Sequence, residues 1–176
     1  MDADVGLKVC FPRADIEKAV RRLAAEITAE YQQKNPVLIG VLKGAFVFLS
    51  DLVRHLDFSL DVDFIRLSSY RQGSESSGSV RILQELTTPI QGRDTLVVED
   101  IVDTGLTTSF LLEYLKKKNP ASLRLCTLTD KPSRRQAPVR IDYLGFSVPD
   151  KFLVGYGLDL DEKYRNLPDI CYLEKT

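Results

Sequence analysis

Residues 96–109 read LVVEDIVDTGLTTS. Two adjacent carboxylates, Glu99 and Asp100, end an apolar run, and after Ile101 and Val102 a third, Asp103, opens an Asp-Thr-Gly-Leu-Thr-Thr turn. Carboxylates accept hydrogen bonds from sugar hydroxyls and bind Mg²⁺. A small hydroxyl-rich turn that runs into a helix offers backbone N–H groups, threonine hydroxyls and the helix dipole to a phosphate. The combination suits a sugar that bears phosphates. An ordinary strand-to-helix connection, capped by Asp103 or Thr104, is the competing reading. Capping explains the Asp-Thr-Gly but not three carboxylates within five residues. Like charges that close repel unless a cation or a hydroxyl-rich ligand lies among them. The sequence contains no G-x-x-x-x-G-K-[ST] loop and no G-x-G-x-x-G fingerprint.

The elements that must hold these groups are legible from periodicity. Ile16, Val20, Leu23, Ile27 and Tyr31 recur at helical spacing, which predicts an amphipathic helix over 13–33. The continuous apolar run VLIGVL at 37–42 reads as a strand buried on both faces. Lys43-Gly44 follows it, then a helix over 45–56 with Ala45, Phe48, Leu49, Leu52 and Leu56 inward. Leu60, Val62 and Phe64 alternate with Asp61 and Asp63, so a strand is expected over 60–68. The next run, RQGSESSGS at 71–79, has six Ser or Gly in nine residues and little to bury, and is expected to move. Further strands are expected at 80–83, 96–99, 123–128, 139–144, 152–156 and 170–173, a helix at 106–118, and a loop between Pro132 and Pro138.

Apolar strands that alternate with amphipathic helices predict an α/β fold with a mainly parallel central sheet flanked by helices. Ligands of such sheets sit beyond the C-terminal strand ends. Lys43-Gly44, Glu99-Asp100 and Lys131 all follow predicted strands and are expected to line one rim.

Bulk properties narrow the class. A chain of 176 residues is expected to form a single domain over 1–176 with a real core. Apolar content of 44%, charged content of 28% and a net charge of −1 suit a globular protein with no broad electrostatic affinity for nucleic acid or anionic membrane. No secretory leader or membrane-length apolar run is evident. Three distant cysteines without a C-x-x-C suit a cytoplasmic location. A single histidine, His55, makes a zinc site or a histidine-dependent triad hard to assemble.

VVEDIVDTGLT resembles the phosphoribosyl-diphosphate signature of the type I phosphoribosyltransferases, in the form found in the hypoxanthine-guanine phosphoribosyltransferase family. Residues 40–52, GVLKGAFVFLSDL, resemble that family's first loop. Ser68-Ser69-Tyr70 with the Ser/Gly-rich run resembles its mobile loop. Residues 148–160, VPDKFLVGYGLDL, followed by YRNLP at 164–168, resemble its purine-binding end. The first 35 residues add little.

The resemblance implies the type I fold with a small purine-binding hood, and Mg²⁺-dependent transfer of a 5-phosphoribosyl group to a 6-oxopurine. Glu99 and Asp100 would hold ribose hydroxyls and Mg²⁺. Thr104, Gly105, Leu106, Thr107 and Thr108 would cradle the 5′-phosphate, Leu106 standing where the family often has a basic residue. Lys43, Gly44 and Arg165 would bind diphosphate, often with a cis peptide before the lysine. Lys131 would donate to the purine's exocyclic oxygen, Phe152 would stack on the ring, and Ile101 and Leu153 would border it. Asp159 would serve the base's amino group and a second Mg²⁺. Asp103 would be the general base, with Ser69 and Tyr70 at the foot of a closing loop. Small-molecule substrates and a homodimer or homotetramer are expected.

Taken alone, Lys43 and Lys131 could be solvated loop lysines, Arg165 a surface ion pair and Phe152 a core residue. Two rivals of another class are a regulator that binds RNA or DNA on the same fold and a non-catalytic nucleotide-binding module. Near-neutral charge opposes the first, and the joint presence of Asp103, Lys131 and the Ser/Gly-rich loop opposes the second.

Overall fold

The computed structural model describes residues 6–69 and 80–174. Tyr70 and the Ser/Gly-rich run to residue 79 therefore lie outside the described residues. The main sheet is built from β2 (Val37–Leu42), β3 (Asp61–Ser69), β4 (Val80–Gln84), β5 (Asp94–Val102), β6 (Ser122–Asp130) and β7 (Tyr143–Ser147). Their order is β4-β3-β2-β5-β6-β7, and every neighbouring pair is parallel except β3 with β4. Helices α1 (Arg13–Tyr31), α2 (Phe46–Val53) and α3 (Leu106–Lys116) provide the crossovers and flanks.

Period-two alternation on the central strands divides the core. Leu38, Leu96, Val98, Cys126 and Leu128 pack with Ile16, Val20, Leu23, Ile27 and Tyr31 of α1 and Phe48, Leu49 and Leu52 of α2. Ile39, Val97 and Leu125 point the other way and pack with Leu111 and Leu115 of α3. The mainly parallel α/β sheet flanked by helices is thus as expected. No described helix is long and apolar enough to cross a membrane.

A second, antiparallel sheet of order β1-β9-β8 joins β1 (Leu7–Phe11), β9 (Ile170–Leu173) and β8 (Leu153–Val154). Leu153, Tyr156, Leu158 and Ile170 enter the same core as α1, so this hood packs directly on the main sheet.

Several local expectations are corrected. The strand expected over 96–99 is longer and runs from Asp94 through both carboxylates to Val102. Glu99 pairs in register with Thr127, and Ile101 with Thr129, because β6 continues alongside. The strand expected over 139–144 forms four residues later, at Tyr143–Ser147. Asp142 holds its start: its backbone N–H donates to the Leu125 carbonyl, and its carboxylate accepts from the Leu125 N–H, both at 3.0 Å. The strand expected over 152–156 shortens to two residues, since Gly155, Tyr156 and Gly157 take φ of 93°, 50° and 100° and turn the chain. β1 was not anticipated: three of its five residues are exposed, and its order comes from pairing with β9.

In β3 the alternation of Asp and apolar residues misleads about the faces. Val62 is 41% exposed, while Asp63 is 7% exposed. The Asp63 carboxylate accepts from the backbone N–H groups of Phe64 at 2.7 Å, Thr87 at 2.8 Å and Thr88 at 2.6 Å. It anchors the loop after β4, and those bonds offset the desolvation of its charge.

Candidate active site

Because β2, β5, β6 and β7 run parallel, their C-terminal ends emerge on one rim. Lys43-Gly44 follows β2, Asp103 follows β5, Lys131 follows β6, and the hood segment with Phe152 follows β7. The Leu42–Lys43 peptide is cis. Gly44 faces the Asp100 carboxylate so closely that any Cβ there would overlap it. The glycine is thus what lets the β2–α2 connection lie against the acidic pair.

Glu99 and Asp100 are both buried, at 9% and 8% exposure. Burial, reinforced by the neighbouring Asp100 charge, pushes the Glu99 carboxyl well above the usual range. Burial also raises Asp100, against hydrogen bonds from Glu99 and the Ile101 N–H and the charge of Arg165. Such a pair favours the protonated form in the fold. Its contribution to stability is therefore full below the unfolded carboxylate pKa and is lost as pH rises through the raised folded value.

Glu99→Gln fixes that neutral form. It is expected to raise the melting temperature at neutral pH by at least about 2–4 °C, the shift that ~1 kcal/mol produces in a chain of this size. The gain should shrink below the usual carboxylate range. Equal melting temperatures at neutral pH would show that the carboxylate is not held at a cost.

The turn after β5 is shaped by Gly105, whose φ of 82° lies in the left-handed region that favours glycine. Gly105 itself occupies the N-cap position of α3, with no side-chain capping bond. The competing reading, a helix capped by Asp103 or Thr104, is met only in part: the Thr104 hydroxyl accepts from the Leu106 N–H at 3.4 Å, while the Asp103 carboxylate pairs with Arg134. The N–H groups of Gly105, Thr107 and Thr108 find no acceptor among the described residues. Thr108 is buried, and Leu106 and Thr107 are partly so. The turn is held from behind: Gln136 and Ala137 donate their N–H groups to the Thr104 carbonyl at 2.8 and 3.1 Å. It is a tethered cup of free donors at a helix N-terminus, suited to an anion.

Asp103 sits at the mouth, its carboxylate ion-paired with Arg134 Nε at 2.8 Å. Lys131 is 6% exposed, its N–H bonded to the Val102 carbonyl, and its ammonium has no ion-pair partner among the described residues. A buried cation at a cleft rim is costly unless an acceptor meets it. Phe152 is 50% exposed, which removes the core-residue alternative. Leu153 is buried in the core and Ile101 packs against it, so Leu153 can meet a ligand only through its backbone.

The hood closes the arrangement. Arg165 donates from Nη1 to the Gly157 carbonyl at 2.8 Å and from Nη2 lies 2.9 Å from Asp159. Lys43 and Arg165, on separate elements, converge on one carboxylate that the sequence had not singled out: Glu162 Oε2 lies 2.8 Å from Lys43 Nζ and 3.3 Å from Arg165 Nη2. Its i,i+3 spacing to Arg165 was the only local signal. Two cations gathered around an exposed anion are well placed for a diphosphate.

The three carboxylates expected to hold metal, Glu99, Asp100 and Asp159, do not form one cluster. No group of three His, Cys, Asp or Glu able to hold an ion occurs among the described residues. Asp159 is engaged by Arg165 and by the Glu162 N–H at 2.9 Å. Glu99 and Asp100 remain, and Mg²⁺ is commonly held by one or two carboxylates with substrate oxygens and water completing the shell. The residues present fit that pattern.

The phosphoribosyl transferase domain family model matches residues 13–161. The chain is 49% identical to the hypoxanthine-guanine phosphoribosyltransferase of Bacillus subtilis over 167 residues, 95% of this chain and 93% of that protein. It is 50% identical to the hypoxanthine-guanine-xanthine phosphoribosyltransferase of Tritrichomonas foetus over 170 residues, 96% of this chain and 92% of that protein. The solved structure of a Staphylococcus aureus hypoxanthine phosphoribosyltransferase superposes with a TM-score of 0.92 at 43% identity, covering 97% of this chain and 92% of that one. With a matching family model, relatives similar along nearly their whole length and the same fold, the chain belongs to the phosphoribosyltransferase family, in its hypoxanthine-guanine branch.

Proposed function

We propose that this protein transfers the 5-phosphoribosyl group of phosphoribosyl diphosphate to hypoxanthine or guanine in purine salvage, with Mg²⁺, in the cytoplasm and as a homodimer or homotetramer. The observation that carries this reading is that the ends of the parallel strands carry a free-donor cup, a buried acidic pair, two cations around an anion, a buried lysine and a solvent-facing Phe152.

The 5′-phosphate lies in the cup at residues 104–108, and the ribose hydroxyls donate to Glu99 and Asp100. Lys43, the Gly44 backbone and Arg165 take the diphosphate. When bound at the acidic pair, Mg²⁺ neutralises charge on the departing diphosphate. The purine stacks on Phe152, its exocyclic oxygen accepts from Lys131, and its edge meets Ile101 and the Leu153 backbone. Asp159 accepts from the amino group of guanine. As the C1′–O bond breaks, its electron pair leaves with the diphosphate. A purine ring nitrogen bonds C1′, and the proton of the five-membered ring passes to Asp103. The loop starting at Ser69 and Tyr70 closes over the site and keeps water from the donor.

The test supplies phosphoribosyl diphosphate and Mg²⁺ with hypoxanthine, guanine and xanthine in turn, xanthine because the T. foetus relative is named for it as well. Nucleoside monophosphate and diphosphate should form together, and no product with any base would overturn the reading. The same assay on Phe152→Ala should show a purine KM raised about 5- to 150-fold, from the ~1–3 kcal/mol of base–aromatic stacking. The half-exposed ring predicts an unchanged melting temperature. Unchanged purine KM would remove Phe152 from the base site.

A further inference from the structure

The 3₁₀ turn Pro132–Arg134, between Lys131 and the strand of Phe146, ends on Arg134 and is followed by Arg135, two arginines that the reaction as described does not use. Arg135 is anchored. It pairs with the buried Asp130 carboxylate and donates from Nη1 to the Asp103 carbonyl at 3.2 Å. Arg134 is half-exposed and stands between two carboxylates, with Nε 2.8 Å from Asp103 Oδ1 and Nη1 3.4 Å from Asp150 Oδ1. Asp103 Oδ1 is itself buried and accepts no hydrogen bond, so Arg134 holds it by charge and cover alone, although the Asp103 side chain retains 39% exposure. The accessible part of the carboxylate is therefore centred on Oδ2. The backbone behind it is fixed by the bonds of Gln136 and Ala137 to Thr104, so the remaining freedom of Asp103 is rotation of its side chain.

We propose that Arg134 is the positioning residue for proton transfer: by covering Oδ1 it fixes the Asp103 carboxylate with Oδ2 as the acceptor facing the purine. The inference rests on the assignment of Asp103 as the general base. A base earns its rate effect only within hydrogen-bond reach of the proton it accepts, and a carboxylate free to rotate spends part of its time misaligned. Asp150 supplies a second charge that holds the guanidinium at this edge, two residues before Phe152. An exposed ion pair contributes little to stability, so the consequence of Arg134 is expected in the chemical step.

The test is a double-mutant cycle read by single-turnover rate at saturating substrates, with purine KM and melting temperature measured alongside. Arg134→Gln should slow the chemical step about tenfold, mid-range for coupled neighbours, with purine KM changed by less than about twofold. Arg134→Lys should recover part of the loss, since it restores charge without the planar fork. In the Asp103→Asn background, Arg134→Gln should have no further effect. A wild-type rate in both Arg134 variants, with Asp103→Asn slow, overturns the inference and leaves the base assignment standing. The same slowing by Arg134→Gln in both backgrounds also overturns it, because Arg134 would then act independently of Asp103. A wild-type rate in Asp103→Asn removes the base assignment itself, and this inference with it.

Discussion

Asp103→Asn is expected to slow single-turnover chemistry by about 10²–10⁴-fold, the usual loss on removing a general base. Asparagine keeps the size and an oxygen toward Arg134 but cannot take up a proton as a carboxylate does. The structure makes the experiment clean: the N-cap of α3 is Gly105, with no side-chain cap, so Asp103 does not hold the helix end. The ion pair with Arg134 is partly exposed on both sides, and its loss should change stability by about 0–1 kcal/mol. Melting temperature and donor affinity should therefore stay near the parent values. Single-turnover measurement is required because product release can limit kcat and conceal a slower chemical step. An unchanged rate would leave Asp103 with an electrostatic or structural part only.

Stripping divalent cations should have an effect of similar size. Excess chelator is expected to reduce turnover at least about 10²-fold, since charge stabilisation by such an ion is worth several kcal/mol, and added Mg²⁺ should restore it. The reason lies in charge: the leaving diphosphate is highly anionic, and on the proposed reading it would depart beside the buried carboxyls Glu99 and Asp100, which no third carboxylate or histidine joins among the described residues. A cation at this pair would favour its ionised form and offset the negative charge that builds on the leaving group. Full turnover in chelator, with no divalent ion retained by mass spectrometry, would refute the requirement. Asp100→Asn should raise the Mg²⁺ concentration for half-maximal rate. Gly44 must be left alone in that experiment, because any side chain there displaces Asp100.

What the sequence by itself determined was whatever is written in neighbouring residues. The helix of α1 and its buried face follow from the spacing of Ile16, Val20, Leu23, Ile27 and Tyr31, and the central strand β2 from an unbroken apolar run. The run from Glu99 to Thr108 and the segment from Val148 to Pro168 carry the family's local pattern, so fold and family could be read before any coordinate. These signals survive because backbone periodicity and turn chemistry act over a few residues. The tertiary structure alone decided the contacts between segments far apart in sequence. It buried Asp63 rather than Val62, because the carboxylate answers N–H groups of the distant residues Thr87 and Thr88. It ordered β1 against β9, brought Gly44 onto Asp100, and gathered Lys43 and Arg165 around Glu162. It also set Arg134 over Asp103, across 31 positions of chain that no periodicity links. Electrostatic and steric complementarity depend on distance in space, and only the packed sheet converts separation along the chain into that distance.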